Sequence, residues 1–472
     1  PKPQTPNFVC HALNLQNGHY NMKEHSTDDQ STMTPMTEND FLMFDFSGEL
    51  PAWISSLGEY FPKIIKSFAE FNLTFMLDLF GNLVIKPLDS ETSTLYELNF
   101  SPDELISLAE VSGDGRFLLM IFTGGRYQLA EFPKVKVVKK GGGLKSIDKA
   151  KGSESGYLAV VEGKVLTRIS VVRSFLSRDL KFDEMIKMEG DIWDFAELED
   201  RLVVCSAEGV ALYSVGTQGR PALLDRLDWN GGGGPATCVA MSGNLIGVFR
   251  GAALRVLRVG SGLWEAQRVV LGGLVQTAVS FDGWTHAVLL DDGWLQLVQV
   301  DGWSGKASVF RPQPLPRPLQ SSTNRRGLDF SGSMCVDRAS DRLWLGCKPP
   351  IIASVATWQS VLEGMVEDFD YFRAFSFLEQ LRCGKIAAFF GLTAKRSHRR
   401  RLLQAALRRL VAAFLEANLR LLGPVASEWP DIFFRCAEAA RRAGDCETLW
   451  TDLLRFAREN TGLPLALAGV RR

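Results

Sequence analysis

The chain has 472 residues, of which 46% are hydrophobic and 23% charged, and its formal net charge at pH 7 is −1. That length exceeds one ordinary hydrophobic core and fits a large repeat domain plus a second domain. Near-neutral charge argues against a nucleic-acid binder, and no apolar run approaches the ~18 residues needed to span a bilayer, so any membrane role is peripheral.

The eight cysteines are scattered, and no two are spaced as C-x-x-C. This suits reduced thiols in a cytosolic protein, used as small core residues. None of the five histidines stands at zinc-ligand spacing from a cysteine, so neither a metal nor a cofactor is expected. Charge is unevenly divided. Residues 357–472 hold 18 Lys or Arg against 13 Asp or Glu, leaving 35 against 41 upstream. Both imbalances are ordinary for domains of these sizes.

Residues 1–38 are polar, rich in Pro and Thr and aperiodic, the composition of a flexible tail. Phe41–Phe46 (F-L-M-F-D-F) is the first strand candidate, placed to close a ring whose last blade takes a strand from the N-terminal side. One device then recurs: an apolar run, a tight turn with glycine, and a second apolar run. It is centred on Gly81, Gly124, Gly163, Gly209, Gly251 and Gly293, which lie 43, 39, 46, 42 and 42 residues apart. A seventh instance, Arg342–Val355, turns at Lys348-Pro349-Pro350. Glycine suits such hairpins because positive φ costs it little. A period of about 40–45 residues with one strong hairpin per repeat is that of a four-stranded blade. Residues 39–356 are therefore expected to form a WD40-like β-propeller of seven blades.

Two stretches interrupt the period. Arg311–Gly327 (R-P-Q-P-L-P-R-P-L-Q-S-S-T-N-R-R-G) reads as a surface loop or short polyproline segment, with partner docking as the alternative use. Lys134–Lys145 (K-V-K-V-V-K-K-G-G-G-L-K) reads as a second basic loop. It lacks the G-x-x-x-x-G-K spacing of a phosphate-binding loop and no helix signal follows it. Asp-Gly-Trp occurs at Asp282–Trp284, Asp292–Trp294 and Asp301–Trp303. Turn chemistry with the Trp packed into the blade accounts for it better than a ligand cage does.

At Thr357 the periodicity changes from two to between three and four. Helices are expected at about 357–369, 371–383, 384–392, 398–422, 428–443 and 445–459. Short links between amphipathic helices imply antiparallel stacking, so residues 357–472 read as the start of an α-solenoid, truncated because no capping repeat is visible. The densest charge is Lys395-Arg396-Ser397-His398-Arg399-Arg400-Arg401. Cations in a first helical turn oppose the helix dipole. Lys395, Arg396, Arg399, Arg400 and Arg401 are thus candidates for contact with an acidic partner or anionic lipid, a solvated helix start being the alternative.

Trp358–Leu362 (W-Q-S-V-L), Arg373-Ala374-Phe375, Gly384-Lys385-Ile386-Ala387, Gly391-Leu392 and the basic Lys395-Arg396 before a long helix resemble the propeller–solenoid junction of the vacuolar protein sorting-associated protein 8 family. That family supplies a subunit of the CORVET endosomal tethering complex, and the similarity extends to Pro430–Asn460. The resemblance implies a cytosolic protein, peripheral on the endosomal membrane, that engages an early-endosomal Rab GTPase or membrane and other tethering-complex subunits. The family's zinc-binding RING-type end has no counterpart here. No G-x-S-x-G, H-E-x-x-H or paired-carboxylate motif with a histidine partner is present, so a non-enzymatic scaffold is expected. A coat or nuclear-pore subunit of the same layout is the alternative, and an enzyme with a propeller active site the third.

Overall fold

The computed structural model describes residues 36–46, 64–70, 73–78, 82–87, 94–97, 105–153, 156–173, 178–216, 221–229, 235–302, 304–318, 322–324, 327–329, 334–337, 342–346, 351–392, 395–424, 428–442 and 446–460. The chain divides into two compact units, Pro1–Met36 and Thr37–Arg472, and every described residue but Met36 belongs to the second. The expected tail falls, apart from its last three residues, outside the described residues.

Between Ile106 and Val309 the chain repeats one unit, a four-strand antiparallel meander. The first comprises Ile106–Val111, Phe117–Phe122, Tyr127–Glu131 and Lys136–Gly141. The next begin at Ile147, Ile192, Ala236 and Val275. An eight-stranded sheet holds two further groups of four, joined through the single parallel pair Ala69↔Asp337. One group is Ile64–Glu70, Leu73–Asp78, Asn82–Pro87 and Thr94–Glu97. The other is Met334–Asp337, Arg342–Leu345 and Ile351–Val355, completed by Phe44–Asp45 from the far end of the chain. Phe44 pairs with Val355 and Asp45 with Ser354, which is the closure expected of Phe41–Phe46.

Burial follows position in the meander. Phe117–Phe122, Gly156–Val161 and Thr285–Leu290 are buried along their whole length, whereas Ala222–Asp228, a fourth strand, is largely exposed. Strand side chains alternate between faces, so a strand buried throughout is covered on both. Leu118, Met120 and Phe122 pack toward Leu83 and Ile85 of the preceding sheet, while Phe117, Leu119 and Ile121 pack toward Tyr157, Ala159 and Ile169 of the following one. The core is thus a series of layers between successive sheets. This explains why the strands read as continuous apolar runs, without alternation.

The glycine turns work in two ways. Gly293 has φ +78°, as the hairpin reading requires. Gly209 is there for close approach instead: a Cβ at that position would stand 2.4 Å from the Leu227 carbonyl oxygen. A second turn joins the first and second strands, legible in the sequence at Asp282-Gly283 but missed at Asp114-Gly115. Ser112 Oγ donates to Asp114 Oδ1 at 2.6 Å and accepts from Phe117 N at 3.0 Å. Ser280 Oγ likewise accepts from Gly283 N at 2.8 Å, while Asp282 Oδ1 accepts from Trp284 N and Thr285 N at 2.8 and 2.7 Å. The repeated Ser-x-Asp-Gly was the available signal.

Of the Asp-Gly-Trp triplets, the two whose tryptophans are described do not converge. Trp284 and Trp294 flank opposite ends of the strand Thr285–Leu290, Trp284 packed in an inter-sheet core and Trp294 partly exposed. Trp303 and the turn Lys348–Pro350 lie outside the described residues.

Both interruptions differ from expectation. The basic stretch is not a loop: Lys136–Gly141 is a fourth strand paired with Tyr127–Glu131, and Gly141 admits the Tyr127 ring where a Cβ would lie 2.4 Å from it. Residues 311–327 begin as structure too. Gln313–Pro314 pairs with Trp294–Leu295, and the buried Gln313 amide accepts from Phe44 N at 2.7 Å and donates to Phe44 O at 2.8 Å. Ser322–Asn324 and Gly327–Asp329 form a small hairpin.

The helices are α1 (Trp358–Glu367), α2 (Tyr371–Cys383), α3 (Arg396–Leu422), α4 (Trp429–Arg442) and α5 (Cys446–Glu459). Thr357 caps α1, accepting from Ser360 N, and Trp358, Leu362 and Met365 form its buried face as the spacing predicts. Every consecutive pair of helices packs together, α2 and α3 across the 384–395 connection included, and α2 also meets α4.

Residues 384–392 do not form the expected helix. Gly384 ends α2 in the left-handed conformation at φ +71°, and Gly391 is left-handed at φ +78°. Between them Ile386, Ala388, Phe389 and Phe390 are buried. Their apolar spacing serves docking, not a helical face. Phe389 meets Phe41, Phe310 and Phe377 at centroid distances of 5.3, 5.1 and 5.3 Å, and Phe390 meets Phe281 at 5.4 Å. Ala388 N donates to Ser308 Oγ at 3.2 Å. Edge-on aromatic contacts of this kind add about 0.5–1.5 kcal/mol each beyond burial. The helical segment is thereby seated on the β part through an aromatic seam.

Candidate interaction surfaces

The basic run opens α3. Its cations serve different ends. Arg399 turns inward and donates to three main-chain carbonyls: Leu381 O at 2.7 Å, Ala387 O at 2.8 Å and Ile386 O at 3.2 Å. These belong to the end of α2 and the docked 384–392 segment, so Arg399 ties the start of α3 to both. Burial holds its guanidinium below the usual arginine range, with the Asp301 carboxylate acting the other way. Lys395, Arg400 and Arg401 are exposed, and the Arg396 side chain is outside the described residues. Nothing in the sequence separated Arg399 from its neighbours, because its partners are carbonyls positioned by the loop.

A second surface lies where the first strands of the meanders begin. In six of them, pairing with the second strand skips the second residue: Ile65, Ser107, Asp148, Trp193, Thr237 and Gln276. A bulge turns a side chain out of the regular alternation and recurs at sheet edges and binding sites. The first strands run side by side in one direction. Lys149 Nζ donates to Trp193 O at 3.3 Å, Lys151 Nζ to Phe195 O at 2.5 Å, and Ser153 Oγ to Glu197 Oε2 at 2.7 Å. The bulged positions therefore share one end of the β part.

At that end Trp193 stacks on Trp229, with centroids 6.4 Å apart and planes at 19°. Arg250 of the next sheet lies over both rings, at 5.4 Å from Trp193 and 4.5 Å from Trp229, and Arg255 stands 5.1 Å from Trp229. Burial, reinforced by Arg255, lowers the Arg250 guanidinium below its usual range. Arg255 is paired to Glu265 at 3.4 Å. The stack is a cation–π staple between two sheets that leaves the tryptophan edges half-buried.

Deeper in the same sheets, Asp194 is buried between Lys149 and Lys151, with Oδ1 at 3.1 and 2.9 Å from their Nζ atoms and Oδ2 accepting from Val239 N at 2.7 Å. Burial pushes the Asp194 carboxyl up, but the two lysines and the Val239 amide outweigh it and the net position is below the ordinary carboxylate range. One carboxylate thus links three sheets. Among the described residues no group of three or more His, Cys, Asp or Glu side chains is arranged to hold a metal ion. Cys205, Cys383 and Cys436 are free thiols, and burial pushes Cys436 up to about 12.

Layered four-strand meanders, bulged first strands and closure by an N-terminal strand define the class: a WD40-like β-propeller followed by a segment of five helices. Among solved structures, the β-propeller domain of Cps50 (Swd1) from Myceliophteria thermophila aligns with a TM-score of 0.50 at 12% identity, covering 66% of this chain and 100% of that one. A chain of the mitotic checkpoint complex aligns at 0.48 with 10% identity, covering 71% and 97%, and the WD40 repeats of RRP9 at 0.45 with 9% identity, covering 62% and 94%. At these identities the likeness is one of fold. No protein-family model and no curated protein matches the chain in sequence.

Proposed function

We propose that the chain is a non-enzymatic scaffold subunit of an endosomal membrane-tethering complex, with a seven-bladed propeller joined to the start of an α-solenoid. In this reading it binds a Rab GTPase of early endosomes, other tethering subunits and, peripherally, the endosomal membrane. Seven groups of four strands among the described residues support the seven-bladed reading, and the tethering part rests on the resemblance carried by residues 358–396.

The observation that carries the membrane part is the division of labour in the basic run. Arg399 is spent on the fold, whereas Arg400 and Arg401, one turn into α3, stay exposed. Each such cation contributes about 1 kcal/mol at an anionic surface.

The test is binding of the chain to purified Rab GTPases in GTP- and GDP-loaded states, with anionic liposomes in parallel. Preference for a GTP-loaded early-endosomal Rab, with liposome binding weakened in Arg400→Gln/Arg401→Gln, supports the reading. Absence of both overturns it and favours a coat or nuclear-pore role.

A further inference from the structure

The strand that closes the ring is short. Among the described residues its ladder consists of Phe44↔Val355 and Asp45↔Ser354, with Ala356 N donating to Met43 O at 2.8 Å just beyond it. By comparison, Arg178–Lys187 pairs with Val165–Arg173 along nine positions. Two pairs do not hold a strand in water by themselves, so the hold on residues 37–46 comes from elsewhere.

Two other parts of the molecule supply it. In the sheet that begins at Val275, the buried Gln313 amide engages both main-chain polar groups of Phe44, and Ser308 Oγ donates to Glu38 Oε1 at 3.2 Å. In the helical segment, the Phe41 ring lies against Phe377 of α2 at a centroid distance of 5.0 Å and against Phe389 of the docked connection at 5.3 Å. Ser308 serves both sides, since its Oγ also accepts from Ala388 N. Phe41, Met43 and Phe44 are all buried. One short segment thus lies between the ring closure and the seat of the helices, and its ordering is required for both.

We propose that residues 37–46 act as a clasp that makes closure of the ring and docking of the helical segment mutually dependent. Releasing Phe41 from Phe377 and Phe389 loosens the pairing of Phe44 with Val355, and releasing Phe44 from Gln313 loosens the seat of Phe389. The coupling is reciprocal because both ends draw on the same ordered segment. A load that draws the helices away from the β part therefore frees the edge of Ile351–Val355, an unpaired strand edge, whereas a load that presses them on keeps the ring closed. The clasp does not depend on which partner supplies the load.

The test is hydrogen–deuterium exchange of the full chain, read by mass spectrometry on peptides covering 351–356 and 386–390. Phe41→Leu removes the ring that meets the helical segment, three residues before the ladder. Gln313→Leu removes both bonds to Phe44 at the other end of the clasp. Each variant is expected to speed exchange about tenfold in both peptides, with Phe117–Phe122 and Gly156–Val161 unchanged. If leucine at 313 prevents folding, Gln313→Asn, which shortens the amide, supplies that arm of the test. The proposal is overturned if Phe41→Leu loosens 386–390 alone, if the Gln313 variant loosens 351–356 alone, or if neither peptide changes, because the two ends would then be held independently. A rise of equal size in every segment also overturns it, since that is loss of global stability and not release of a clasp.

Discussion

Phe389 sets its ring edge-on against Phe41, with centroids 5.3 Å apart and planes at 89°. The first described segment of the chain and the connection between α2 and α3 thereby share one contact. Phe377 and Phe310 complete the cluster, so the segment around Phe41, the propeller and the helices meet at a single buried point. Phe389→Ala should destabilise the protein by about 3–5 kcal/mol through the cavity it leaves. Denaturant unfolding followed by both far-UV circular dichroism and tryptophan fluorescence checks this. A loss below about 1 kcal/mol would mean that the seam does not support the fold.

Arg399 and its neighbours should separate cleanly. Arg399→Ala leaves three carbonyls without their donor and should cost about 2 kcal/mol, read as a lower thermal midpoint. Arg400→Gln/Arg401→Gln should leave that midpoint unchanged, since both side chains are exposed. Equal destabilisation by the two variants would refute the division.

Asp194→Ala leaves two lysines and the Val239 amide facing a buried void and should cost about 3–5 kcal/mol. The carboxyl is depressed in the fold, so its contribution is present above the ordinary carboxylate range and is lost as pH falls through the folded-state value. An acid-unfolding midpoint that Asp194→Asn does not move would count against the ion-pair account.

His286 is buried against Phe249, at a centroid distance of 5.2 Å, and burial pushes its pKa down to about 4, with Asp282 opposing. The unfolded chain takes up the proton near the ordinary histidine value of about 6.5 and the folded one only near 4. Stability is therefore constant above pH 6.5 and falls toward pH 4, by about 3 kcal/mol in all. The slope of stability against pH in that window, compared with His286→Gln, tests this. A slope of equal size in the variant would assign it to other groups.

Trp229 and Arg250 tie two sheets where the Trp193 bulge breaks the strand register. Arg250→Met keeps the stem but removes the cation, and a loss of about 1–2 kcal/mol is expected from equilibrium denaturation. No measurable change would make the stack incidental.

Local rules written into the chain determined the turn spacing near Gly163, Gly251 and Gly293, the N-terminal closing strand, and helices that match expectation from Trp358 onward. These follow from near-neighbour sterics and from apolar period, which any stretch carries by itself. Tertiary structure decided the rest. Ile386–Phe390 has the apolar content of a helix, yet the aromatic seam buries it more fully as an irregular plug. The same plug places the carbonyls that claim Arg399 from an otherwise uniform run of cations. Lys136–Gly141, polar enough to read as a loop, is a strand because Tyr127–Glu131 offers it a ladder. Asp194, Trp193 and Arg250 become a linked set only when sheets far apart in sequence are laid against one another. A residue's local pattern reports its own backbone, whereas its partners depend on which distant segments the layered core brings within reach.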